Sequence, residues 1–344
     1  MSAPSVGQCN DRGGQSTVFG RLEVNERRDV AHTRTDQSAR RRHRPAAWSR
    51  ALTAASALVL AAGLASGCAG GDRTLDGSAG QGPGEIVVGA GDGAESRILA
   101  EIYAGALRST GAQVTTDGGL GDRTAYLGQL DAGSVTLVPE FTGRLLRYYD
   151  PESTETEQDD VFEALSRALP QGLSISDFAA AEDRSALAVT PQASEQLGLT
   201  TLDELVPSCG RSTAVLAPAF EADALAGLTG CTFAQTRRVA DDAAAVGELA
   251  VPAPAGGSVV GGVTTASPDV ADADLVLLSD DEHVFTAQNV VPLFRIGTLS
   301  EAQLKALNVV AGELTTADLA DMIGQVRGGA DSADVARVWL DAHL

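Results

Sequence analysis

The chain has 344 residues, with 46 acidic against 25 basic side chains and a formal net charge of −21. Such a surface repels nucleic acid and anionic lipid head groups, so no nucleic-acid partner is expected. The length suffices for two domains with cores of their own, while only His283 and His343 of the four histidines lie beyond residue 68, too few for a His-based metal centre.

The first readable feature in chain order is an export signal. Arg40-Arg41-Arg42-His43-Arg44 and Arg50 form a basic cluster, the uncharged run 51–64 follows, and Ala65-Ser66-Gly67-Cys68 ends it. A positive region, a short apolar region and small residues before a cut are the signature of secretion. The apolar run, about 14 residues, is too short for a stable membrane span. A cysteine directly after the small residues is the acceptor pattern of a bacterial lipoprotein, so Cys68 is the expected lipidation site. Residues 1–67 then read as an N-terminal extension and lipoprotein signal peptide, with Val30 a candidate start. Residues 68–84, rich in Gly, Ser and Asp, read as a flexible tether. The exported part carries a net charge of about −26, which solvates it and weakly steers cations. Work outside the cytoplasm removes most nucleotide-dependent enzyme classes. It also leaves Cys209 and Cys231 as one pair in an oxidising compartment. Their disulfide would close a loop of about 20 residues, worth roughly 3 kcal/mol in the chain-entropy model.

Order begins at Glu85–Val88, a short buried strand, followed by a Gly-rich turn and a helix over 95–109. Ile98, Leu99, Ile102, Tyr103, Ala106 and Leu107 give that helix one apolar face. Strands at 113–116 and 135–138 alternate with helices at 124–131 and 144–149. A polar loop over 151–160 precedes a helix at 161–169. A strand at 186–189 and a helix at 193–197 come next. Residues 206–231 read as loop-rich, 239–250 as a helix of small residues, and 258–260, 275–278 and 290–294 as strands. The C-terminal part is helical at 301–311, 316–325 and 332–341. Strands alternating with helices indicate an α/β fold with mostly parallel sheets.

Residues 89–94, Gly-Ala-Gly-Asp-Gly-Ala, with Asp117 further on, meet a dinucleotide fingerprint. An exported protein meets no nicotinamide pool, and Asp92 would repel a pyrophosphate, so no cofactor is expected. The turn instead faces the carboxyl ends of the strands, where such sheets bind ligands. No Gly-x-Ser-x-Gly occurs and no nucleophile–base constellation is visible, so the chain is not expected to be an enzyme. Pro139-Glu140-Phe141-Thr142-Gly143 places a carboxylate, an aromatic face and a hydroxyl at a strand's carboxyl end. Arg123, in Gly121-Asp122-Arg123-Thr124-Ala125-Tyr126, could pair bidentately with a ligand carboxylate or with Glu140 as a structural bridge.

The order of motifs resembles the substrate-binding lipoproteins of glycine betaine/choline (quaternary ammonium, osmoprotectant) ABC transporters. The resemblance rests on Glu95–Ala104, Gly121-Asp122-Arg123, Val138–Leu146, Ala186–Thr190, Val263-Thr264-Thr265, Val276–Asp281, Gln288–Pro292, Leu314–Leu319 and Asp334–Leu340. It implies a two-lobe periplasmic-binding-protein-like fold of type II, with two crossing segments near 183–188 and 288–292. Lobe 1 would be 85–184 plus 290–344 and lobe 2 would be 185–289. A small solute would bind between them, and the loaded form, a monomer held to the membrane by its lipid, would dock on a permease with its ATPase. Asp92, Arg123, Tyr126, Glu140, Phe141, Thr142, Arg184, Thr264 and Thr265 are the expected cleft residues. The family commonly cages the ammonium head in Tyr rings. Here the motif aromatic is Phe141, all four tyrosines (103, 126, 148 and 149) precede residue 150, and lobe 2 offers only Phe220, Phe233 and Phe285. A full cage is not expected; Asp92 and Glu140 could offer carboxylates to a cation instead.

Overall fold

The computed structural model describes residues 84–253 and 256–344; the expected export signal, Cys68 and the expected tether up to residue 83 lie outside the described residues. The first sheet forms as expected from the alternating strands and helices. β1 (Ile86–Gly89), α1 (Ala94–Ser109), β2 (Val114–Asp117), α2 (Arg123–Ala132), β3 (Leu137–Phe141), α3 (Thr142–Tyr149), α4 (Gln158–Ala168) and β4 (Leu173–Ile175) follow in order. Strand β1 lies between β2 and β3 and is parallel to both. Its side chains alternate: Ile86 and Val88 pack under α1 with the C-terminal helices, whereas Val87 faces the core shared with α2–α4.

The chain then builds a second sheet. It comprises β5 (Ser185–Val189), β6 (Thr213–Leu216), β7 (Gln235–Arg238), β8 (Val259–Thr264) and β9 (Val276–Leu277). The helices α5 (Pro191–Leu197), α6 (Leu202–Leu205), α7 (Asp242–Glu248) and α8 (Pro268–Asp272) accompany it. The chain returns to the first sheet as β10 (Val290–Arg295). It ends in α9 (Glu301–Glu313), α10 (Thr316–Arg327) and α11 (Ser332–His343), which cover β1 and α1. The strand orders, β2-β1-β3-β10-β4 and β7-β6-β8-β5-β9, are the same pattern twice. In each sheet three parallel strands accept a fourth, antiparallel one that enters from a crossing: β10 beside β3, β5 beside β8. Each sheet has apolar cores on both faces.

The two crossing segments pair with each other. Glu182 bridges Asn289 in antiparallel fashion, with Asp183 N donating to Gln288 O at 3.0 Å, Val290 N to Ala181 O at 2.9 Å and Ala179 N to Val290 O at 2.8 Å. Helix α3 starts directly against this ribbon, and Gly143 is what permits it: a Cβ there would run into the Ala287 carbonyl and the Thr286 side chain.

Several elements differ from expectation for local reasons. Helix α4 starts at Gln158 because Glu157 caps it, accepting from Asp159 N and Asp160 N, and the acidic run complements the positive helix end. Helix α7 starts only at Asp242, after Asp241 caps Ala244 N. Strand β6, central and almost wholly buried, lies inside 206–231, where four small or medium residues between turns gave no periodic signal. Strand β7, Gln-Thr-Arg-Arg, is a polar edge strand, stabilised by its pairing with β6 rather than by an apolar face.

Cys209 and Cys231 form a disulfide with their Cα atoms 5.3 Å apart and a sequence separation of 22. Both pack on the second lobe's core. Replacing both by Ser should cost about 3 kcal/mol and lower the melting temperature by about 6–12 °C, read by calorimetry with and without reductant. An unchanged melting temperature would mean that the bridge adds nothing to a core already formed.

Candidate functional site

The turn after β1 and the turns that open α2 and α3 converge at the carboxyl ends of the parallel strands. Gly91 N donates to Ser96 Oγ at 2.8 Å and Asp92 Oδ1 accepts from Gly121 N at 3.2 Å, which locks the first two turns together. With β3 they wall a cavity of about 200 Å³ whose lining includes Asp92, Arg123, Tyr126, Glu140 and Phe141.

Glu140 lies at the floor, 1% exposed, and its carboxylate is fully engaged by the protein. Arg123 Nε donates to Oε1 at 2.9 Å and Nη2 to Oε2 at 3.0 Å. Tyr126 OH donates to Oε1 at 2.7 Å, and Phe141 N to Oε2 at 3.2 Å. Burial, then the adjoining Glu140 charge, pushes the Tyr126 phenol above its ordinary range, so it remains a donor. Arg123 is therefore the structural bridge and not a free carboxylate fork, and Glu140 has no lone pair left to offer a ligand cation. The triad fixes the ring of Tyr126 and the start of α3.

Phe141 is 6% exposed, and the Arg144 guanidinium lies over its ring, 4.9 Å from the centroid. Arg144 Nη2 also donates to Asp183 O at 2.8 Å and Asp183 Oδ2 at 2.9 Å, and its Nη1 is 4.0 Å from Glu95 Oε2. Glu95, Arg144 and Asp183 also wall a second cavity, about 190 Å³, shared with Thr264, Asp242 and Arg327. This cavity has walls from both lobes. Burial first, then the Asp183 charge, pushes the Glu95 carboxyl up to about 8, opposed by Arg144, although 29% of that side chain stays accessible. Elsewhere a larger hollow, about 670 Å³, lies between α1 and α11. Its charged rim is already paired as Glu101–Arg108 and Asp334–Arg337, and another of about 670 Å³, beside α5 and the start of β8, is lined by the second lobe alone; the two cavities that share Glu95 and Arg144, one of which reaches both lobes, form the candidate site.

Asp92, Arg123, Tyr126, Glu140 and Phe141 thus meet at one cavity and Thr264 lines the next. The other three expected residues serve the crossings instead. Thr142 is fully buried; its Oγ1 accepts from Asn289 N at 3.1 Å and donates to Ala287 O at 3.4 Å. Thr265 Oγ1 donates to Glu182 O at 3.0 Å and accepts from Arg184 N at 3.1 Å. Arg184 pairs with Glu182 at 3.0 Å and Asp280 at 3.7 Å. Both hydroxyls hold crossing backbone that would otherwise be unsatisfied, and the guanidinium neutralises two acids. Sequence reasoning missed Glu95, Arg144 and Asp183 as cleft residues. The available signal was positional: Glu95 opens the helix after the Gly-rich turn, Arg144 follows Phe141 by three residues, and Asp183 stands at the crossing. The lobe 2 aromatics Phe220 and Phe285 pack edge-to-face on each other, 5.6 Å apart, within their own core.

A family model described as the substrate-binding domain of an ABC-type glycine betaine transport system matches residues 84–342. The fold is similar to a solved glycine betaine/carnitine/choline ABC transporter structure, with a TM-score of 0.66 and 17% identity, covering 75% of this chain and 98% of that one. It is also similar to apo YehZ from Escherichia coli, with a TM-score of 0.62 and 20% identity, covering 75% and 98%. No curated protein sequence matches the chain.

The raised pKa of Glu95 has a sign that can be measured. Folding favours its protonated form, so its contribution is fully present below its ordinary value of 4.5 and is lost as pH rises through about 8. Glu95→Gln, neutral at every pH, should become more stable than wild type by about 1–2 kcal/mol at pH 9, solvent screening holding the effect below its full value. At pH 5 the two should match. Urea unfolding at each pH gives the difference, and parallel curves from pH 5 to 9 would place Glu95 in water.

Proposed function

The chain belongs to the family of substrate-binding domains of ABC-type glycine betaine transport systems, and on that premise we propose that it is the extracytoplasmic solute-binding lipoprotein of an ABC importer. It captures a small osmoprotectant-type cation or zwitterion, such as glycine betaine, choline or a similar molecule, and hands it to a membrane permease driven by its ATPase. The observation that carries this reading is the cavity shared by Glu95, Arg144, Asp183 and Thr264, whose walls combine α1, α3 and α10 with the end of β8 and the start of α7. A solute seated there contacts both lobes at once, so its binding free energy favours the closed arrangement and its loss releases it. The proposed lobes are 85–184 plus 290–344 and 185–289.

The acidic surface raises the local concentration of cations over anions, a weak, salt-sensitive steering. The anchor is a lipid on Cys68, with the tether holding the domain off the membrane; a diacylglycerol supplies the two chains that stable anchoring needs. The guanidinium over Phe141 favours a second reading, in which the same cleft takes a different polar or aromatic solute or serves a sensor.

Calorimetric titration of the whole protein with glycine betaine, choline and carnitine tests the assignment. Saturable binding of at least one, at about micromolar affinity, is the expected result. Silence with all three from a folded chain refutes the quaternary-ammonium assignment. For the anchor, Cys68→Ala should move the protein from the membrane to the soluble fraction of its host; undiminished membrane retention would remove the lipid from the account.

A further inference from the structure

The partition between the two cavities of the candidate site has hydrogen-bonding capacity that the protein leaves unused. Glu95 Oε1 is buried and receives no hydrogen bond from an N–H or hydroxyl, while the carboxyl shares its proton with the neighbouring Asp183 carboxylate; its other oxygen stands 4.0 Å from Arg144 Nη1, beyond hydrogen-bond reach. Arg144 holds Asp183 through Nη2 alone. Among the described residues, its Nη1 and Nε make no hydrogen bond. An acceptor without a donor and a donor edge without an acceptor therefore lie side by side, in a wall that both cavities share.

We propose that this gap seats the charged head of the ligand, and that the ligand is a small zwitterion bearing N–H donors, an amino acid or partly methylated amine. Its ammonium donates to Glu95 Oε1 and its carboxylate accepts from the free edge of Arg144. The inference rests on the reading of this cleft as the site of a small osmoprotectant-type solute, and narrows that class.

Three observations favour N–H donors over a fully methylated head. A quaternary ammonium carries no proton to donate, so it would leave the buried Glu95 oxygen unsatisfied, and sites built to hydrogen-bond a substrate strongly reject the analogue that lacks the donor. The aromatic face that methyl groups would need is covered by Arg144, and uncovering Phe141 would break both Asp183 contacts. Phe220 and Phe285 are engaged with each other in the core of lobe 2, Phe233 packs against that same core, and none of the three lines either cavity, so no ring from that side completes a cage among the described residues.

Electrostatics gives a second readout. The charges facing Glu95 are Asp183 on the crossing, Arg144 on α3 and Arg327 on α10, and Asp242 on α7 lines the same cavity. Burial first and then the Asp183 charge hold the Glu95 carboxyl at about 8 in the free protein. An ammonium seated against it favours the ionised form, so binding at pH 7 releases a proton.

The test is calorimetric titration of the whole protein with glycine, sarcosine, N,N-dimethylglycine and glycine betaine, which carry three, two, one and no N–H donors on one carboxylate frame. At least one N–H-bearing member should bind roughly tenfold or more tighter than glycine betaine. Glu95→Leu should shrink that preference to within about threefold, once the acceptor is gone. Titrations in buffers of different ionisation enthalpy should show proton release in wild type and none in Glu95→Gln, the isosteric variant that carries the test if the leucine variant does not fold. Glycine betaine binding tightest, or a preference and proton release unchanged in both variants, overturns the inference and leaves the solute-binding function standing. Silence with all four from a protein shown to be folded overturns the inference, and the function falls with it only if choline and carnitine are silent as well.

Discussion

The two lobes are joined by a short antiparallel ribbon, and most polar side chains near the cleft serve it. Residues 179–183 and 288–290 pair through backbone hydrogen bonds of 2.8 to 3.0 Å. That pairing leaves Asn289, Glu182 and Asp183 without neighbouring strands on their outer sides. Side chains supply what a sheet would: Thr142 and Thr265 hold crossing backbone, Arg144 N donates to Gln288 Oε1 at 2.8 Å, and Asn289 Nδ2 donates to Ala179 O at 3.0 Å. Buried backbone groups must find partners, and here the partners come from α3 and from the end of β8. The start of α3 is thus fixed to the hinge, which is why Gly143 must lack a side chain at that point.

The same helix start carries the site. Phe141, Thr142, Gly143 and Arg144 are consecutive, and they divide the work between them. Phe141 is the aromatic wall, Thr142 anchors the crossing, Gly143 allows the close approach and Arg144 brings the charge. Placing the hinge anchor and the cleft charge two residues apart on one helix turn couples them mechanically. A ligand that moves the Arg144 guanidinium acts on Asp183 at the crossing through two hydrogen bonds. The Glu140 triad behind them is a different kind of structure. Its carboxylate receives four hydrogen bonds and is buried, so it holds the shape of the wall rather than exchanging partners. Removing one partner of such a group costs far more than the pair contributes net, which makes it a rigid backing for the more loosely held Glu95 and Arg144.

Long amphipathic helices and buried strands were legible because their periodicity is a direct consequence of burial on one or both faces. Helix α1, with Ile98, Ile102 and Leu107 on its inner face, and α10, with its Thr315–Asp318 capping box, were readable in that way. Strands β6 and β7 were not: one is four residues between turns, the other a polar edge, and both exist because β8 is there to build on. Among site residues, the Pro139–Gly143 junction was legible because a strand end followed by Gly at a helix start has few uses. The allegiance of its acid was not, since Arg123 could serve a ligand or Glu140 equally well until their distance was known.

By itself the sequence determined an α/β class, the order of strands and helices through most of the chain, and Cys209 with Cys231 as the candidate pair, because these follow from hydrophobic period, turn chemistry and residue count; the two lobes were implied by the resemblance of its motifs to a known family. Only the tertiary structure decided which polar groups are free. Glu140 and Arg123 cancel each other, Thr142, Thr265 and Arg184 serve the crossings, and Glu95 and Arg144 keep unused hydrogen-bonding capacity at the cleft. The physical reason is that a polar side chain's role depends on whether a partner lies within about 3 Å, and those partners come from segments up to 147 residues apart in the chain, a separation no local pattern records.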